Sequence, residues 1–289
     1  MKKEIIVITG LTASGKTKIS IELAKKLNCE IICADSRIIY KGLDIVSAKP
    51  TKEEQQGIKH HLIDIITPDF DFSAGDFVSC ALKIINSSNK PIIISGGTWF
   101  YIKSLLDEKG LIECPTNPIL RQELEQYTNE ELFKKLEKLD IQRANKIHPN
   151  NRDKVIRSIE MCIELNKPIS QVERPKNQDF EAKWFMPYFE REEIYKRIEK
   201  RTDEMISMGL FEEWQKNKEI YGENKILKNT IGYKEFYELE EGIYKDFEEA
   251  VSKIKQHTRN FAKRQMTYFK SRNDINFIKS CDDILKSII

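Results

Sequence analysis

Residues 10–17 read GLTASGKT and match the pattern G-x-x-x-x-G-K-[ST] at every fixed position. A candidate for a buried strand at residues 5–9 precedes the match. Apolar residues at helical spacing follow it, at Ile19, Leu23 and Leu27. In a loop of this kind the glycines let backbone N–H groups turn toward phosphate oxygens, and the N-terminus of the following helix favours anions. The strand, loop and helix together predict a site for a diphosphate or a triphosphate.

The residues of this loop have separate expected parts in phosphate binding. Lys16 adds a positive charge, and Thr17 offers a hydroxyl to Mg²⁺. The loop alone leaves the bound compound open, because kinases, nucleotide hydrolases and prenyl transferases all use one. The predicted phosphate-binding residues are Gly10, Leu11, Thr12, Ala13, Ser14, Gly15, Lys16 and Thr17.

Outward from the loop, short apolar runs alternate with helical patterns through the first hundred residues. Further strands are expected at 30–34, 62–66 and 91–95. Ser73 followed by Asp76 predicts the capping box with which a helix begins. Alternation of this kind indicates an α/β fold, with a parallel-sheet core like that of the P-loop nucleotide hydrolases and helices on both faces.

The pattern changes after about residue 112. Residues 112–119 contain two prolines and form a connector, after which the sequence is helical and charged. One more short strand is expected at 183–189, and the pattern beyond it is again helical. We therefore predict a helical domain inserted into one α/β core, with the insertion at 116–181 and the core at 1–115 and 182–289.

Composition narrows the class of protein further. Of the 289 residues, 40% are hydrophobic and 33% are charged, which favours a folded, charge-rich globular protein over a disordered chain. No apolar run approaches the ~18 residues of a membrane helix, and the start of the sequence is unlike a signal peptide. The six cysteines lack zinc spacing. A cytoplasmic protein with reduced thiols and no membrane segment is expected.

With the phosphate loop, further segments resemble the bacterial tRNA dimethylallyltransferases. Asp35-Ser36-Arg37-Ile38-Ile39-Tyr40 follows the second strand, and Ala48-Lys49-Pro50 comes soon after. The sequence departs from that family's usual residues at Leu11, Ile38, Val46-Ser47, Asn151 and Lys154. The other matching segments are HHLIDI at 60–65, FSAGDF at 72–77, GGTWFYI at 96–102, IHPNNRDKVIRSIE at 147–160, IGYKEF at 231–236 and TRNFAKRQMTYFK at 258–270.

The resemblance implies that a dimethylallyl group passes from dimethylallyl diphosphate to N6 of the adenosine next to the anticodon, at position 37 of tRNA. It implies that Asp35 is the catalytic base, that Thr98 contacts the substrates, and that Mg²⁺ binds at Thr17. From the residues alone, Asp35 is more readily a turn or cap aspartate, and Thr98 a helix cap. Asp64 stays open between a role near Mg²⁺ and a structural one.

Basic clusters indicate where tRNA would bind. Segment 251–272 holds seven Lys and Arg residues and no Asp or Glu, with aromatic residues between them, and a second cluster lies in the predicted insertion. A monomer is expected, in which Lys263 and Arg264 lie apart from the phosphate loop. The tRNA contacts that the resemblance implies are Asp35, Ser36, Arg37, Ile38, Thr98, Arg121, Asp153, Lys154, Val155, Ile156, Arg157, Lys263 and Arg264.

Three other functions share part of this pattern. A small-molecule kinase would have the same loop and sheet, but it gives no reason for the basic C-terminal helix or the insertion. An adenylate isopentenyltransferase performs the same chemistry on a free nucleotide, without a tRNA-sized basic surface. A non-enzymatic RNA-binding module is disfavoured by Asp35 beside a complete phosphate loop.

Overall fold

The computed structural model of the chain describes residues 3–177 and 180–288. Within these residues one sheet of six parallel strands forms the core. Along the sheet the strands follow the order third, second, fourth, first, fifth, sixth. This confirms the predicted α/β class. The strands are β1 Lys3–Thr9, β2 Glu30–Cys33, β3 His60–His61, β4 Ile92–Gly96, β5 Phe180–Pro187 and β6 Ile275–Ile278.

Contacts divide the chain into two compact units, Met1–Leu106 with Gln178–Ile289, and Asp107–Asn177. The first unit contains helices α1 Lys16–Leu27, α2 Lys52–Gln55, α3 Ala74–Ser87 and α4 Trp99–Leu106. The second contains α5 Pro118–Leu124, α6 Asn129–Leu139, α7 Ile141–Ala144 and α8 Arg152–Glu164. The first unit continues with α9 Arg191–Ser207, α10 Leu210–Tyr221, α11 Lys225–Lys228, α12 Lys234–Glu240, α13 Phe247–Phe269 and α14 Cys281–Ile288.

The second unit begins and ends earlier than the 116–181 that the sequence indicates, because its two connecting segments pair with each other. The N–H of Gly110 donates to the carbonyl of Pro175, and the N–H of Asn177 donates to the carbonyl of Glu108. The unit has a hydrophobic core of its own. That core is formed by Leu124, Leu132, Leu136, Ala144, Ile147, Val155, Ile156 and Ile159.

The phosphate loop is held by the best buried part of the sheet. Strand β1 pairs with β4 on one side and β5 on the other, and its residues Val7 and Ile8 are fully buried. An uninterrupted apolar strand is typical of a parallel sheet that is covered on both faces. Leu23 of α1 packs in the same cluster as Ile93 of β4 and Phe185 of β5. The loop between β1 and α1 is therefore fixed at both ends.

Helix α3 begins where the capping box predicts it. The hydroxyl of Ser73 accepts a hydrogen bond from the N–H of Asp76 at 3.2 Å, and the carboxylate of Asp76 accepts one from the N–H of Ser73 at 2.8 Å. These bonds satisfy donors that the first turn of a helix leaves unpaired. No helix within the described residues combines the length and the apolar character needed to cross a membrane.

One predicted strand position is wrong, and one strand of the sheet is not predicted from the sequence. The third strand was expected at 62–66 but lies at His60–His61, because Leu62 and Asp64 have φ of 63° and 54° and turn the chain out of the extended conformation. The region beyond residue 191 was expected to be helical throughout, yet β6 pairs there with β5. Only its two end residues are buried, so β6 gives no clear strand pattern in the sequence.

Gly96 allows the ends of β2 and β4 to meet closely. A Cβ at Gly96 would lie 2.1 Å from the carbonyl oxygen of Ala34, which is a backbone atom and cannot move aside. Next to this contact, the N–H of Thr98 donates to the same carbonyl at 3.1 Å. Asp35 and Thr98 are thereby brought together at the carboxyl edge of the sheet, where open α/β sheets bind ligands.

We expect Gly96→Ala to destabilise the fold by about 1–3 kcal/mol or more, as overpacking of a rigid site does. Denaturant unfolding followed by circular dichroism measures this change. Gly75→Ala is the matched control, because its Cβ would lie 3.4 Å from the nearest atom, the hydroxyl of Ser73. Equal stability of the two variants would show that the contact at Ala34 places no constraint on residue 96.

Candidate active site

The backbone of the phosphate loop has the conformation of an anion-binding turn. Gly10, Ala13 and Gly15 have φ of 139°, 61° and 76°, which turns successive N–H groups toward one side of the loop. The carbonyl of Leu11 accepts hydrogen bonds from the hydroxyl of Ser14 at 2.8 Å and from its N–H at 3.3 Å. A Cβ at Gly10 would lie 3.1 Å from a side-chain carbon of Met186 on β5, so there is little space for a side chain at position 10.

The side chain of Lys16 lies within the loop, where its ammonium group is largely desolvated. Its ammonium donates to the carbonyl of Leu11 at 2.6 Å. Burial lowers the pKa of Lys16 to about 8, an effect that the carboxylate of Asp35 opposes and the guanidinium of Arg201 reinforces. An anion bound at the loop would stabilise the charged form of this lysine.

The position of Asp35 is compatible with both roles considered from the sequence, a turn aspartate and a catalytic base. One of its oxygens, Oδ1, accepts the N–H groups of Arg37 at 2.8 Å and of Ile38 at 3.4 Å, as a turn aspartate does. The same carboxylate lines a cavity together with Lys16 and Arg201. The turn fixes the orientation of the carboxylate, so the structural role and a chemical role are compatible.

Thr98 lies across from this turn and is bonded to it. Its hydroxyl oxygen accepts the N–H of Ser36 at 3.0 Å, which ties the end of β4 to the segment that follows β2. Asp35 lines two cavities, and Thr98, Ser36 and Arg37 line the larger of these two. Ile38 lines the smaller one. The structure therefore brings together the predicted site residues at 10–17, 35–38 and 98.

Arg201 is a site residue that the sequence analysis missed. Its guanidinium contacts the hydroxyl of Thr12 at 3.4 Å, and burial lowers its pKa while the carboxylate of Asp35 opposes the shift. It is one of many charged residues in α9, so charge alone did not distinguish it. The helical spacing does distinguish Arg201 from the other charged residues. It lies three residues after Ile198 and seven after Ile194, which places it on the buried face of α9.

The two cavities differ in character. The larger has a volume of about 350 Å³, and its lining includes polar and charged side chains, among them Thr12, Asp35, Thr98 and Arg201. The smaller, of about 110 Å³, is bordered by Lys16 and Thr17 as well as by Asp35. The lining of the larger cavity therefore offers contacts to a charged group and to an apolar group. The apolar wall of the larger cavity consists of Ile198, Met205, Leu210, Ile231, Ile254 and Phe261.

The segment at 44–46 reaches this cavity because Glu213 of α10 holds its backbone. The carboxylate of Glu213 accepts the N–H groups of residues 44, 45 and 46 at 2.9, 2.6 and 3.0 Å. It also accepts the hydroxyl of Tyr233 at 2.7 Å. Val46 and Ser47 consequently line the larger cavity.

Asp64 has a structural partner. Its carboxylate pairs with the ammonium of Lys49, which also pairs with Asp44 at 2.5 Å and donates to the carbonyl of Tyr40 at 3.0 Å. Lys49 is nearly buried, so its charge requires these acceptors. These contacts support the structural interpretation of Asp64.

The donor set at the loop fits a magnesium ion that is shared with a phosphate. Mg²⁺ prefers oxygen ligands and usually takes one or two from the protein, with the rest from phosphates and water. The hydroxyl of Thr17 and the carboxylate of Asp35 border one cavity and supply oxygens of that kind. Among the described residues no group of three or more His, Cys, Asp or Glu side chains forms a cage for a metal.

The basic segment of α13 is partly neutralised by acidic residues of α9, which a count along the sequence could not show. Lys255 pairs with Asp203 at 2.5 Å, and Arg259 pairs with Glu199 at 2.7 Å. At the end of the segment, Arg272 pairs with Asp274 and lies over the rings of Trp99 and Trp184, at 4.7 and 4.2 Å from their centroids. Three of the seven basic side chains thus have partners within the fold.

Lys263 and Arg264 are both exposed but do not have the same surroundings. Arg264 lines the larger cavity with Thr12 and Asp35, and its guanidinium lies 5.9 Å from the ring centroid of Phe261. The expectation that Arg264 lies apart from the phosphate loop is therefore wrong. The error arose because α13 passes directly beside the loop.

In the second unit, Arg121 and Arg157 bind one buried carboxylate. Glu160 is fully buried and accepts Arg121 at 2.9 and 3.0 Å and Arg157 at 2.5 Å. Burial would raise the pKa of Glu160, but the two guanidiniums outweigh it and hold this pKa below its usual value. Val155 and Ile156 belong to the hydrophobic core of the unit and are buried, so their side chains are not available for contact with RNA.

The exposed part of this region lies at the start of α8. Asp153 and Lys154 are exposed in its first turn, which follows Asn151. Arg152 pairs with Glu125 at 2.9 Å and also donates to backbone carbonyls before α6. The implied tRNA contacts of this unit stay a prediction.

Comparison with known proteins gives a consistent result. The sequence profile of the IPP transferase family matches residues 38–272. A tRNA dimethylallyltransferase of Alkaliphilus metalliredigens (strain QYMF) is 41% identical over 299 residues, which cover 100% of this chain and 96% of that protein. Among solved structures, a tRNA delta(2)-isopentenylpyrophosphate transferase of Staphylococcus epidermidis is 39% identical, with a TM-score of 0.69 and 99% of both chains covered. A eukaryotic dimethylallyltransferase acting on tRNA is 27% identical, with a TM-score of 0.82, covering 96% of this chain and 73% of that one.

We expect the affinity for inorganic diphosphate to fall as the pH rises from 7 to 9, because the pKa of Lys16 is lowered to about 8. Lys16 is mostly charged at the lower pH and mostly neutral at the higher one, so the loss attributable to it is about tenfold. Isothermal titration calorimetry at several pH values measures it. Lys16→Ala should bind diphosphate weakly, and its affinity should lack this additional fall above pH 8.

The comparison with Lys16→Ala also removes the titration of diphosphate itself, which affects both proteins equally. If the affinities of the two proteins stay in a constant ratio from pH 7 to 9, the ammonium of Lys16 does not titrate in this range. If the two affinities are equal, the lysine has no part in diphosphate binding.

Proposed function

Since this chain belongs to the IPP transferase family, we propose that it transfers a prenyl group to an adenosine of tRNA. The donor is dimethylallyl diphosphate, and the acceptor is N6 of the adenosine at position 37, next to the anticodon. Mg²⁺ is the cofactor, held through the hydroxyl of Thr17. The enzyme works as a monomer in the cytoplasm.

The observation that carries this proposal is the arrangement of the larger cavity. Its lining combines Thr12 of the phosphate loop, Asp35, Thr98 and Arg201 with apolar side chains such as Phe261. A prenyl diphosphate is a small apolar group joined to a strongly charged one, so it matches both kinds of lining residue. Its diphosphate end would lie at the phosphate loop, with Asp35 and Thr98 beside the bond between the two parts.

The chemistry follows from the groups at that end. The C–O bond between the prenyl carbon and the diphosphate breaks as N6 of adenosine forms a bond to the same carbon. Charge that develops on the leaving diphosphate is stabilised by the loop N–H groups, by Lys16 and by Arg201. When bound, Mg²⁺ neutralises part of the diphosphate charge. The proton of N6 passes to the carboxylate of Asp35, which the turn at Arg37 and Ile38 holds in place.

The target base must leave its stack to reach Asp35. An adenosine beside the anticodon is stacked in its loop, and enzymes that modify such a base take it out of the stack. The exposed side chains of Lys263 and Arg264 provide positive charge beside the cavity for the tRNA backbone. The second unit, with Lys154 exposed at the start of α8, contributes to tRNA binding.

Transfer to a free nucleotide is the second candidate, because three basic side chains of 251–272 are already paired within the fold. This pairing reduces the charge available to a long RNA. A kinase is less well supported, since Asp64 pairs with Lys49 and does not line the small cavity of Lys16 and Thr17, where the metal-holding acid of a kinase-like site would lie.

Asp35→Asn should lower the rate of the chemical step by about 10²–10⁴-fold, the usual contribution of a general base. Stability and tRNA affinity should change little, because an amide oxygen can still accept the N–H groups of Arg37 and Ile38. Single-turnover transfer from a labelled prenyl diphosphate to unmodified tRNA measures the step. A near-normal single-turnover rate would leave Asp35 with its turn role alone.

The salt dependence of tRNA binding separates the tRNA enzyme from the free-nucleotide enzyme. If Lys263 contacts a phosphate, Lys263→Gln should reduce the slope of log affinity against log salt concentration by about 1. Lys263 lies outside the lining of the larger cavity, so diphosphate affinity should not change. Lys216→Gln is the control, because it removes the same charge from an exposed position on α10.

Filter binding or fluorescence anisotropy with an anticodon stem-loop at several salt concentrations gives the slopes. A wild-type slope in Lys263→Gln would remove this residue from the RNA surface. If the stem-loop also binds no more tightly than AMP, the free-nucleotide reaction becomes the better assignment.

A further inference from the structure

Gln265 is a buried side chain of α13 whose amide joins two loops of the site. Its Oε1 accepts the N–H of Thr12 at 2.9 Å, and its Nε2 donates to the carbonyl of Gly97 at 3.1 Å. Only 8% of the residue is exposed. The two partners fix the orientation of the amide, because an N–H group requires an acceptor and a carbonyl requires a donor.

The two bonds connect distant parts of the chain. Thr12 belongs to the phosphate loop, and it is 253 residues away from Gln265. Gly97 precedes Thr98, whose hydroxyl holds the turn that contains Asp35. Through one side chain, the helix is therefore bonded both to the diphosphate end of the site and to the segment next to its base.

Gly97 leaves the space that this amide fills. A Cβ at Gly97 would lie 2.6 Å from Nε2 of Gln265 and 3.8 Å from the ammonium of Lys16. The N–H of Thr12 already has its acceptor in Gln265, so this N–H serves to hold the loop and not to bind phosphate. Gln265 is consequently part of the frame that sets where the remaining loop N–H groups point.

The same helix also forms part of the substrate cavity. Phe261, one turn before Gln265, lines both cavities, and Arg264 lines the larger one. A shift of α13 would move these side chains and the phosphate loop together, because Gln265 bonds them to each other. The buried amide of Gln265 fixes the position of α13 relative to the two loops, because breaking either hydrogen bond leaves an unpaired buried polar group.

We propose that Gln265 is a positioning residue for prenyl transfer, holding the phosphate loop and the peptide before Thr98 in register with α13. This rests on the proposed function, because α13 carries the residues predicted to bind tRNA. The side chain performs no chemical step. It fixes the distance between the bound diphosphate and the base that receives the proton from N6.

Gln265→Met tests the proposal, because methionine has a similar length and no hydrogen-bonding amide. We expect its single-turnover rate to fall about 10²-fold, the effect of a misplacement of about 1 Å. Its affinity for inorganic diphosphate should also fall, while its affinity for the anticodon stem-loop should stay within about twofold of wild type. Gln256→Met is the matched control, since Gln256 is an exposed glutamine of the same helix.

Gln265→Glu separates the two hydrogen bonds. A carboxylate can still accept the N–H of Thr12 but would face the carbonyl of Gly97 with a second acceptor. A protonated carboxyl can donate to that carbonyl, so the ratio of the variant's rate to the wild-type rate should rise as the pH falls from 8 to 5.5. The titratable groups that line the same small cavity are Lys16, Cys33, Asp35, His60 and Arg201. Their titration is present in both proteins, so the pH dependence of the ratio reports the effect of the introduced carboxyl group.

Each outcome bears on the proposal. Wild-type rate and diphosphate affinity in Gln265→Met, a loss of equal size in Gln256→Met, or a rate ratio for Gln265→Glu that is independent of pH would each overturn it. Unfolding of Gln265→Met leaves the pH ratio of Gln265→Glu as the deciding measurement. Diphosphate affinity is read without tRNA, so a wild-type enzyme that fails to prenylate tRNA would count against the proposed function and not against the role of Gln265.

Discussion

The site depends on an imbalance of buried charge. Lys16 and Arg201 line one small cavity with Asp35, and burial lowers the pKa of both cations. The carboxylates of Asp35 and Glu204 oppose these pKa shifts without cancelling them, and uncompensated buried charge is costly. The loop N–H groups add further positive potential at the same place. An anion would complete the site, which is the physical basis for proposing that a diphosphate binds there and is stabilised as it leaves.

Properties set by neighbouring residues could be predicted from the sequence. The phosphate loop and the capping box at Ser73 are both short, and the parallel sheet followed from the alternation of strands and helices. Contacts between distant residues could not be predicted. Arg201 contacts Thr12 across 189 residues, and Gln265 contacts it across 253. The predicted position of β3 is wrong because nothing in the local sequence pattern indicates the left-handed backbone conformation at Leu62.

The charge of a surface also depends on contacts between distant residues, which the sequence does not predict. Segment 251–272 contains no acidic residue, yet Glu199 and Asp203 of α9 neutralise two of its basic side chains. In the second unit, Glu160 does this for two arginines that the sequence assigned to a tRNA surface. Counting charge along a chain measures neighbours in sequence and not in space. The basic surface left for an RNA backbone is smaller than the sequence indicates. Lys263 and Arg264 remain exposed on it, and Arg264 lines the same cavity as Thr12 of the phosphate loop.

Residues 46 and 232 lie against each other in the wall of the larger cavity. Val46 is one of the departures from the family's usual residues, and a Cβ at Gly232 would be 2.9 Å from a methyl group of Val46. A side chain at position 232 would occupy the space that the side chain of Val46 fills, so Val46 is compatible only with glycine at 232. Glu213 holds both sides of this contact, through the N–H of Val46 and the hydroxyl of Tyr233. The room for the apolar part of a substrate is therefore set by a carboxylate on α10 as well as by the side chains that line the cavity.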